Sequence, residues 1–279
     1  AVRLMGTPSV VLLHNLVDTV DLEVAGFGSN RAKLAVFRTI GRLLTRVVLK
    51  ANRVAVTIPA YAELLADRYH ATNVYLSPHG TFDVPGLLPV APGARTRQLL
   101  TFGKFGTYKR VEPLIEAYRL LLDAGYDDVE LVIAGTDGAN SPDYLAGVRM
   151  ANQDLPGLLF TGYVAEDDVA ALFERSEMVV FPYTGTTGSS GPLHQAGAAG
   201  KAAVLPAIGD FIDVISEEGF AGETFTPGDA FSLAGAITRL LEDDDRRNAL
   251  GRQNGLAARA LPISDIADWH VLHMAALAG

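Results

Sequence analysis

The amino-acid sequence predicts an α/β protein with two Rossmann-type lobes, each built on a parallel sheet covered by helices. Three observations lead to this prediction. From residue 98 onward, short β-branched runs alternate with helical stretches, a pattern typical of parallel sheets. Before residue 98, a stretch rich in Pro and Gly separates this region from a smaller α/β part at the N-terminal side. The length of 279 residues accommodates one large domain or two small ones.

Composition excludes several classes of protein. A hydrophobic fraction of 49% with 20% charged residues indicates a globular chain. Because Cys is absent, disulfides, thiolate metal sites and cysteine nucleophiles are excluded, and a reducing cytoplasm is compatible with the sequence. A protein with a net charge of -9 is repelled by the phosphate backbone of nucleic acids, so we expect no nucleic-acid partner.

The smaller part holds too few elements for a complete doubly wound sheet. We therefore expect the N-terminal lobe to be incomplete and the chain to be a fragment. Its predicted strands and helices are strands at 9–13, 54–58 and 73–77, and helices at 31–50 and 60–69.

The larger part has a clearer pattern. Leu114, Tyr118 and Leu121 share one face of a helix, as expected for a helix packed on a sheet. Five buried strands are predicted, each followed directly by Gly or Pro, at 99–102, 131–134, 158–161, 178–181 and 203–205.

These elements define four segments. Trp269 and His273 lie at helical spacing after Pro262, so we expect a last helix that docks on the N-terminal lobe. The predicted segments are a partial N-terminal lobe at 1–85, a linker at 86–97, a C-terminal lobe at 98–262 and this helix at 263–279.

The sequence predicts a cytoplasmic protein, peripheral at the inner face of the membrane. No apolar run approaches the roughly 18 residues of a membrane-spanning helix, and the N-terminus does not resemble a signal peptide. Residues 31–50 carry six basic residues and no acid, whereas the remainder carries 17 basic against 32 acidic residues. Arg38, Arg42 and Arg46 form a stripe opposite apolar residues, a layout typical of helices on anionic lipid. An ordinary core-facing helix with a basic outer face fits equally well.

A loop rich in Gly, Ser and Thr follows the strand that ends at Phe181 and leads into a helix beginning at Pro192. Glycines let backbone N–H groups approach an anion, and the helix directs its positive dipole end to the same place. The loop therefore predicts a phosphate site. The candidate ligands are Thr187, Gly188, Ser189, Ser190 and Gly191.

A second cluster runs from Gly103 to Arg110, also between a strand end and a helix. Lys104, Lys109 and Arg110 place three cations within eight residues. Cations at a helix start oppose the helix dipole and require an anionic partner. They can neutralise the charge that develops on a departing diphosphate.

Residues 98–262 resemble the donor-binding lobe of family-four retaining glycosyltransferases of the GT-B fold. The resemblance rests on motifs in a fixed order, namely Gly103-Lys104, Lys109-Arg110, Leu131-Val132-Ile133-Ala134-Gly135, Phe160-Thr161-Gly162-Tyr163-Val164, and Phe181-Pro182 leading to Gly200-Lys201. It implies that a nucleotide-diphosphate sugar binds this lobe, with Gly103 and Gly135 at the strand ends and Lys104 and Lys109 holding the diphosphate. It also implies that Tyr163 and Val164 pack near the nucleobase.

The sequence departs from the family at two positions. The family usually has Glu where this chain has Thr187 and Gln195. Hydroxyl and amide groups can still hydrogen-bond to sugar and ribose, but they carry no charge to stabilise an oxocarbenium ion. Lys104 stands where the family more often has Arg. His194, beside Gln195, faces either the ligand or the core, and the core is favoured.

The smaller part adds two histidines. His14 follows four apolar residues and resembles the active-site His of the family, which implies contact with the donor sugar or the acceptor hydroxyl. His79, where the family usually has Asn, is expected to play a supporting role.

The sequence thus predicts a retaining glycosyltransferase that moves a hexose from a nucleotide-diphosphate sugar to a polysaccharide or lipid-linked acceptor. We expect no metal or other cofactor, because no cluster of Asp and His has ligand spacing. The catalytic candidates are His14, Lys104 and Lys109. Two alternatives remain, a non-catalytic nucleotide-sugar-binding protein with a degenerate site, and an unrelated doubly wound enzyme such as a sugar-phosphate epimerase.

Overall fold

The computed structural model describes residues 7–20, 22–23, 27–82, 97–185 and 190–278. These residues form two compact units. The first unit comprises the described residues up to Thr81, Ser190, and the residues from Leu261 onward. The second comprises Phe82, residues 97–185 and residues 191–260. None of the described helices is long and apolar enough to cross a membrane.

The first unit contains a three-stranded parallel sheet. Strands β1 (Val10–Leu13), β2 (Arg53–Val56) and β3 (Val74–Leu76) follow one another in space as in sequence. Helices α1 (Arg31–Val48) and α2 (Pro59–Tyr69) connect them. Asn30 caps α1 by accepting from the N–H groups of Ala32 and Lys33, which satisfies donors that the helix itself leaves unpaired. The predicted strands and helices of this part are confirmed.

The last helix, α10 (Ile263–Ala278), belongs to the first unit and contacts β3. The Trp269 indole donates to the carbonyl of Leu76 at 2.9 Å. His270 lies between the Tyr75 hydroxyl at 2.8 Å and the Ser77 hydroxyl at 2.9 Å. His273 stacks on Tyr75 with ring centroids 3.5 Å apart. An aromatic and histidine cluster therefore fixes α10 to the sheet.

The second unit is a six-stranded parallel sheet with the spatial order β6-β5-β4-β7-β8-β9. This order reverses direction between β4 and β7, the point where doubly wound sheets bind ligands. The strands are β4 (Arg97–Phe105), β5 (Val129–Asp137), β6 (Leu158–Gly162), β7 (Met178–Val180), β8 (Ala202–Pro206) and β9 (Gly222–Phe225).

Seven helices of the described residues cover both faces of this sheet. Successive residues of β4 point to opposite faces, so that Leu99 belongs to one core and Leu100 to the other. Helix α3 buries Leu114, Tyr118 and Leu121 against the first of these cores, which confirms the predicted helix face. The helices are α3 (Glu112–Asp123), α4 (Tyr144–Ala151), α5 (Glu166–Arg175), α6 (Gly191–Ala198), α7 (Gly209–Glu217), α8 (Ala230–Glu242) and α9 (Asp244–Arg259).

All five predicted strands of this part are confirmed, but the sixth, β9, is absent from the prediction. It is four residues long and contains Glu223. The side chain of Glu223 is buried, and a buried carboxylate is unusual. The structure pairs the buried Glu223 carboxylate with Arg239 at 2.7 Å and with Arg246. Because these partners lie in later helices, the local pattern does not indicate a strand.

Docking of α10 is expected to depend on pH through His273. Its Nδ1 lies 3.0 Å from an Arg53 guanidinium nitrogen, which can only donate, so Nδ1 must accept and stay unprotonated. Burial, then Arg53 and His270, lower the pKa of His273 below its ordinary value. The contribution of neutral His273 to the stability of the first unit is therefore complete above the ordinary pKa of histidine. It is lost as the pH falls through the lowered pKa of His273 in the folded protein.

Urea unfolding of the wild type and of His273→Phe across acidic pH will check this expectation. The Phe ring preserves stacking on Tyr75 but cannot titrate. We expect the variant to lose less unfolding free energy than the wild type on acidification. Parallel pH profiles for the two proteins would contradict the assignment to His273.

Candidate functional site

The first feature of the site is a tight turn at the end of β4. Gly106 and Lys109 exchange two backbone hydrogen bonds of 3.1 and 2.9 Å. Thr107 lies between them at a φ of 46°, in the left-handed region that non-glycine residues seldom adopt. The turn thus fixes Lys109 close to the strand end that carries Gly103 and Lys104.

This turn is bonded to the segment that follows β7. The carbonyl of Tyr108 accepts from the backbone N–H of Thr184 at 2.9 Å and from its hydroxyl at 3.2 Å. Thr184 directly precedes Gly185, where the loop rich in Gly, Ser and Thr begins. The turn that carries Lys109 is therefore joined, at the switch point of the sheet, to the segment that leads into the predicted phosphate loop.

Lys109 is held over aromatic rings and forms no ion pair with any residue that the structure describes. Its ammonium lies 4.6 Å from the centre of the Tyr183 ring and 5.7 Å from that of Tyr108, within the range of cation–π attraction. Burial opposes the ammonium, but the neighbouring Tyr183 and Tyr108 outweigh this cost and raise the pKa of Lys109 above its ordinary value. Lys109 is therefore positively charged at neutral pH.

The other two cations of the cluster differ from each other. Lys104 is exposed, and its ammonium has no hydrogen bond or ion pair within the described part of the chain. Arg110 pairs with Glu112 and lies 5.8 Å from the centre of the Tyr144 ring. Glu112 thus supplies the anion that Arg110 needs at the start of α3. Lys104 and Lys109 remain as cations that no carboxylate neutralises among the described residues.

Two glycines let the ends of β4 and β5 approach each other. Gly103 and Gly135 are partners in the parallel register, and their φ angles are 146° and 134°. A Cβ added to Gly135 would lie 1.8 Å from the carbonyl oxygen of Gly103. Only glycine fits at this position, so the floor beside Lys104 consists of main chain.

The loop expected near the nucleobase follows β6 directly. Tyr163 is 79% exposed, whereas Val164 is half-buried and packs against the second core. Gly162 allows this change of direction with a φ of 71°. The Tyr163 ring is therefore open to solvent, and Val164 anchors the loop; a nucleobase contact for these residues stays a prediction.

Part of the predicted phosphate loop is described. Gly191 begins α6, and the half-buried Gln195 lies one turn further along that helix. The Ser190 side chain is buried, and its hydroxyl has no hydrogen-bond partner among the residues that the structure describes. Three further predicted ligands lie outside the described residues, namely Thr187, Gly188 and Ser189.

His194 faces the core, as the sequence favoured. It is 2% exposed, its Nε2 lies 3.1 Å from the Glu218 carboxylate, and its ring packs edge-on against Phe220 at 5.0 Å. This pair joins the start of α6 to the residue that follows α7, so His194 supports the helix from within the core.

The two histidines of the first unit follow the ends of its strands. His14 comes directly after β1 and is exposed, with Nδ1 3.5 Å from the side-chain oxygen of Asn15. His79 follows β3, and its Nδ1 lies 3.1 Å from the carbonyl oxygen of Gly80. Both belong to a different unit from Lys104 and Lys109, so their part in the site stays a prediction.

Sequence reasoning missed the aromatic support of Lys109. Tyr108 and Tyr183 are 75 residues apart in the sequence, and only the fold brings them to one ammonium. A usable signal was present, because each tyrosine lies at a strand end beside a segment already predicted to bind phosphate. No group of three metal-ligating side chains occurs within the described ranges.

The second unit is a doubly wound sheet with a cluster of cations at its switch point. Residues 96–243 match the family described as glycosyl transferases group 1. Since this match covers more than half of the chain, the protein belongs to that family, and the resemblance seen in the sequence is confirmed.

Two relatives of this chain share one name, phosphatidyl-myo-inositol mannosyltransferase. A phosphatidyl-myo-inositol mannosyltransferase from Propionibacterium freudenreichii subsp. shermanii is 28% identical over 273 residues, which cover 95% of this chain and 65% of that protein. One from Mycolicibacterium smegmatis is 29% identical over 177 residues, covering 63% of this chain and 42% of that protein. The matched part of the chain thus spans 65% of the first relative and 42% of the second.

Solved structures show the same fold. Sucrose-phosphate synthase from Thermosynechococcus elongatus superposes with a TM-score of 0.74 at 21% identity, covering 99% of this chain and 70% of that one. HepE from Anabaena, in complex with UDP-glucose, superposes with a TM-score of 0.74 at 17% identity, covering 99% and 74%. These likenesses confirm the predicted α/β fold of GT-B type.

Gly135→Ala is expected to destabilise the second unit by about 3 kcal/mol or more, because the new methyl group would overlap the Gly103 carbonyl and force β4 and β5 apart. Thermal and urea unfolding will measure the loss. Gly147→Ala is the matched control, since Gly147 lies in α4 with open space around it, and there Ala favours the helix by up to about 1 kcal/mol. Equal effects at the two positions would contradict the close approach.

Proposed function

We propose that this protein is a retaining glycosyltransferase that uses a nucleotide-diphosphate hexose as donor. One observation carries the proposal: the hydrogen bonds between Tyr108 and Thr184 join the two loops at the switch point of the sheet. Lys104 and Lys109 lie on one of these loops, and the predicted phosphate loop begins on the other. Membership of the group 1 family supports the same reading.

The charges suit a diphosphate. Lys109 is protonated and held in place by aromatic rings, and Lys104 lacks a carboxylate partner among the described residues. We propose that these two cations act together with the partial positive charge at the start of α6. We propose that both lysines stabilise the diphosphate as it leaves, which lowers the barrier only if they are fixed before reaction.

The proposed transfer needs no dedicated protein base. The bond between the anomeric carbon and the diphosphate oxygen breaks, and the acceptor oxygen bonds to that carbon on the same face of the sugar. The acceptor proton passes to the departing phosphate oxygen, so charge and atoms balance. Neutral side chains at Thr187 and Gln195 would hydrogen-bond to the sugar and ribose in place of the usual carboxylates.

We propose a separate role in this reaction for each part of the chain. Residues 98–262 would bind the donor, while residues 1–85 and the helix at 263–279 would form the acceptor side. The relatives' name states that they act on phosphatidyl-myo-inositol, so we propose a lipid-linked acceptor here. His14 would then orient the acceptor hydroxyl or contact the donor sugar.

A lipid acceptor requires contact with a membrane, and α1 offers a surface for it. Val36, Ile40, Leu43, Leu44 and Val47 form a stripe on this helix, and each side chain is about half exposed or more. The opposite face is buried, with Leu34 and Thr45 turned inward. Such an exposed apolar stripe suits insertion at the boundary of headgroups and acyl chains.

The basic stripe predicted for lipid contact is partly used within the protein. Arg42 pairs with the buried Asp18 at 2.8 Å, and Arg46 lies 5.6 Å from the centre of the Tyr69 ring. These arginines hold α1 to its own unit, so they are less available to lipid than the sequence suggested. The apolar stripe therefore carries the membrane proposal, with Lys33 and Lys50 as exposed cations near its two ends.

A non-catalytic nucleotide-sugar-binding protein is the second candidate, because the usual carboxylate positions hold Thr187 and Gln195. It predicts donor binding without turnover. A thermal-shift series with GDP-mannose, UDP-glucose and ADP-glucose, followed by measurement of released diphosphate with phosphatidylinositol present, separates the two candidates.

Lys104→Met and Lys109→Met are each expected to weaken donor binding about tenfold to hundredfold, because a charge-assisted hydrogen bond contributes about 1.5 to 3 kcal/mol. Met keeps the length of the side chain but removes the charge. Lys50→Met, on an exposed lysine of the first unit, is the control. Unchanged binding in both site variants, measured by titration with the best donor, would refute the diphosphate assignment.

Ile40→Glu is expected to abolish binding to vesicles that contain phosphatidylinositol. Ala35→Glu adds the same charge to an exposed position of α1 outside the stripe and is expected to weaken binding only about fivefold, as for one lost cation at about 1 kcal/mol. Vesicle co-sedimentation measures both. If the two variants behave alike, electrostatics alone and not apolar insertion determines binding.

A further inference from the structure

A groove of about 810 Å³ runs along the outer edge of the sheet in the second unit. Its floor is β6, the last strand on that side. Ala146 and Met150 of α4 form one wall, and Leu172 of α5 contributes to the other. The volume falls within the range of ordinary ligand sites. This groove is separate from the strand-end cluster around Lys104.

The main chain of β6 is unpaired on its outer side. The carbonyl of Gly157 accepts a hydrogen bond from the N–H of Leu131 in β5 at 2.9 Å. The main-chain N–H and C=O groups of Gly157 therefore point towards β5. Because the direction alternates along a strand, the N–H and C=O groups of Leu158 and Phe160 point outward. In the described ranges these groups have no hydrogen-bond partner.

Natural sheets usually protect such an edge with Lys, Pro or a bulge. Strand β6 reads Leu-Leu-Phe-Thr-Gly and contains neither Lys nor Pro. Its register with β5 becomes irregular only beyond Phe160. Leu159 is 47% exposed and Met150 is 72% exposed. The first three residues therefore offer a regular, apolar and accessible edge.

Two arginines give the groove a positive charge. Arg149 lies in the last turn of α4 and Arg175 in the last turn of α5, and both line the groove. Both are exposed, and neither has a carboxylate partner in the part of the chain that the structure describes. In a protein with a net charge of -9, this pair selects an acidic ligand locally.

The groove also contains a polar group that needs a donor. The side-chain oxygen of Gln98 is buried and lacks a hydrogen-bond partner within the described residues, and Gln98 lines the groove. A buried acceptor without a donor is unfavourable. An occupant that brings an N–H or O–H group would relieve this cost.

We propose that the outer edge of β6 docks an extended, acidic segment of a partner polypeptide, which adds a seventh strand to the sheet. Main-chain hydrogen bonds to Leu158 and Phe160 would provide affinity, and acidic side chains beside Arg149 and Arg175 would provide selectivity. The proposal is independent of the glycosyltransferase assignment. A second copy of this chain fits less well, since a two-fold axis at this edge would bring like-charged arginines together.

The probe is an acetylated seven-residue peptide, Val-Glu-Glu-Val-Glu-Glu-Val, which places glutamates on both faces of an added strand, because Arg149 and Arg175 lie on helices that pack against opposite cores. Amide hydrogen exchange of the full chain will be followed at millimolar peptide. We expect at least fivefold slower exchange at Leu158 and Phe160. Two N-methylated peptides provide the control for strand pairing. The first is methylated on the alternate amides that face β6, and we expect it not to bind. The second is methylated on the amides of its other edge, and we expect it to bind as the unmethylated peptide does.

The arginines are tested by substitution. Arg149→Ala and Arg175→Ala are each expected to weaken peptide binding at least threefold, and the double change to Glu should reverse the preference to the peptide in which lysine replaces each glutamate. The control is Arg252→Ala with Arg259→Ala, at exposed positions of α9, which packs at the other side of the sheet, on α6 and β8. All these positions are exposed, so folding should be preserved.

Three results would overturn the proposal. The first is the absence of protection at Leu158 and Phe160 with millimolar peptide. The second is binding that both N-methylated peptides retain equally, which would show that the strand edge is not used. The third is concentration-dependent self-association that protects the same amides without peptide, detected by sedimentation velocity, which would identify a second copy as the occupant.

Discussion

The candidate donor site depends on one main-chain contact between two loops. Where Thr184 donates to the carbonyl of Tyr108, the turn after β4 is joined to the segment after β7 at the point where the strand order reverses. Parallel sheets leave such a crevice at this point because neighbouring connections run to opposite faces. The contact holds Tyr183 beside the turn, where its ring lies 4.6 Å from the Lys109 ammonium. A cation fixed in advance is the arrangement that transition-state stabilisation requires.

The use of charge differs between the two units. In the second unit, Lys104 and Lys109 remain without carboxylates in the described ranges, while Arg110 is neutralised by Glu112. In the first unit, the cations of α1 are partly consumed by its own packing, since Asp18 receives Arg42, Arg68 and Tyr69 together. Burial by itself would raise the pKa of Asp18, but these donors lower it below its ordinary value. The carboxylate thus anchors α1 and α2 to the loop after β1.

The sequence predicted the fold wherever a local pattern decides the structure. Buried runs such as 131–134, followed by glycine, indicate a parallel strand because both faces are covered. Local patterns failed where a distant partner changes the outcome. Glu223 lies in a strand only because Arg239 and Arg246 compensate its charge. Lys104 and Lys109 could be selected from their positions, but the aromatic support from Tyr183 depends on a contact across 74 residues.

The placement of α10 has a consequence for folding during synthesis. The first unit contains residues near both ends of the described chain, whereas the second is almost continuous. Polypeptides leave the ribosome from the N-terminus, and compact units fold as they emerge. Strand β3 therefore waits with Tyr75 uncovered until Trp269 and His273 have been translated. Within the described chain, the unit whose strands are made first receives its covering helix last, and a chaperone would meet its uncovered sheet throughout that interval.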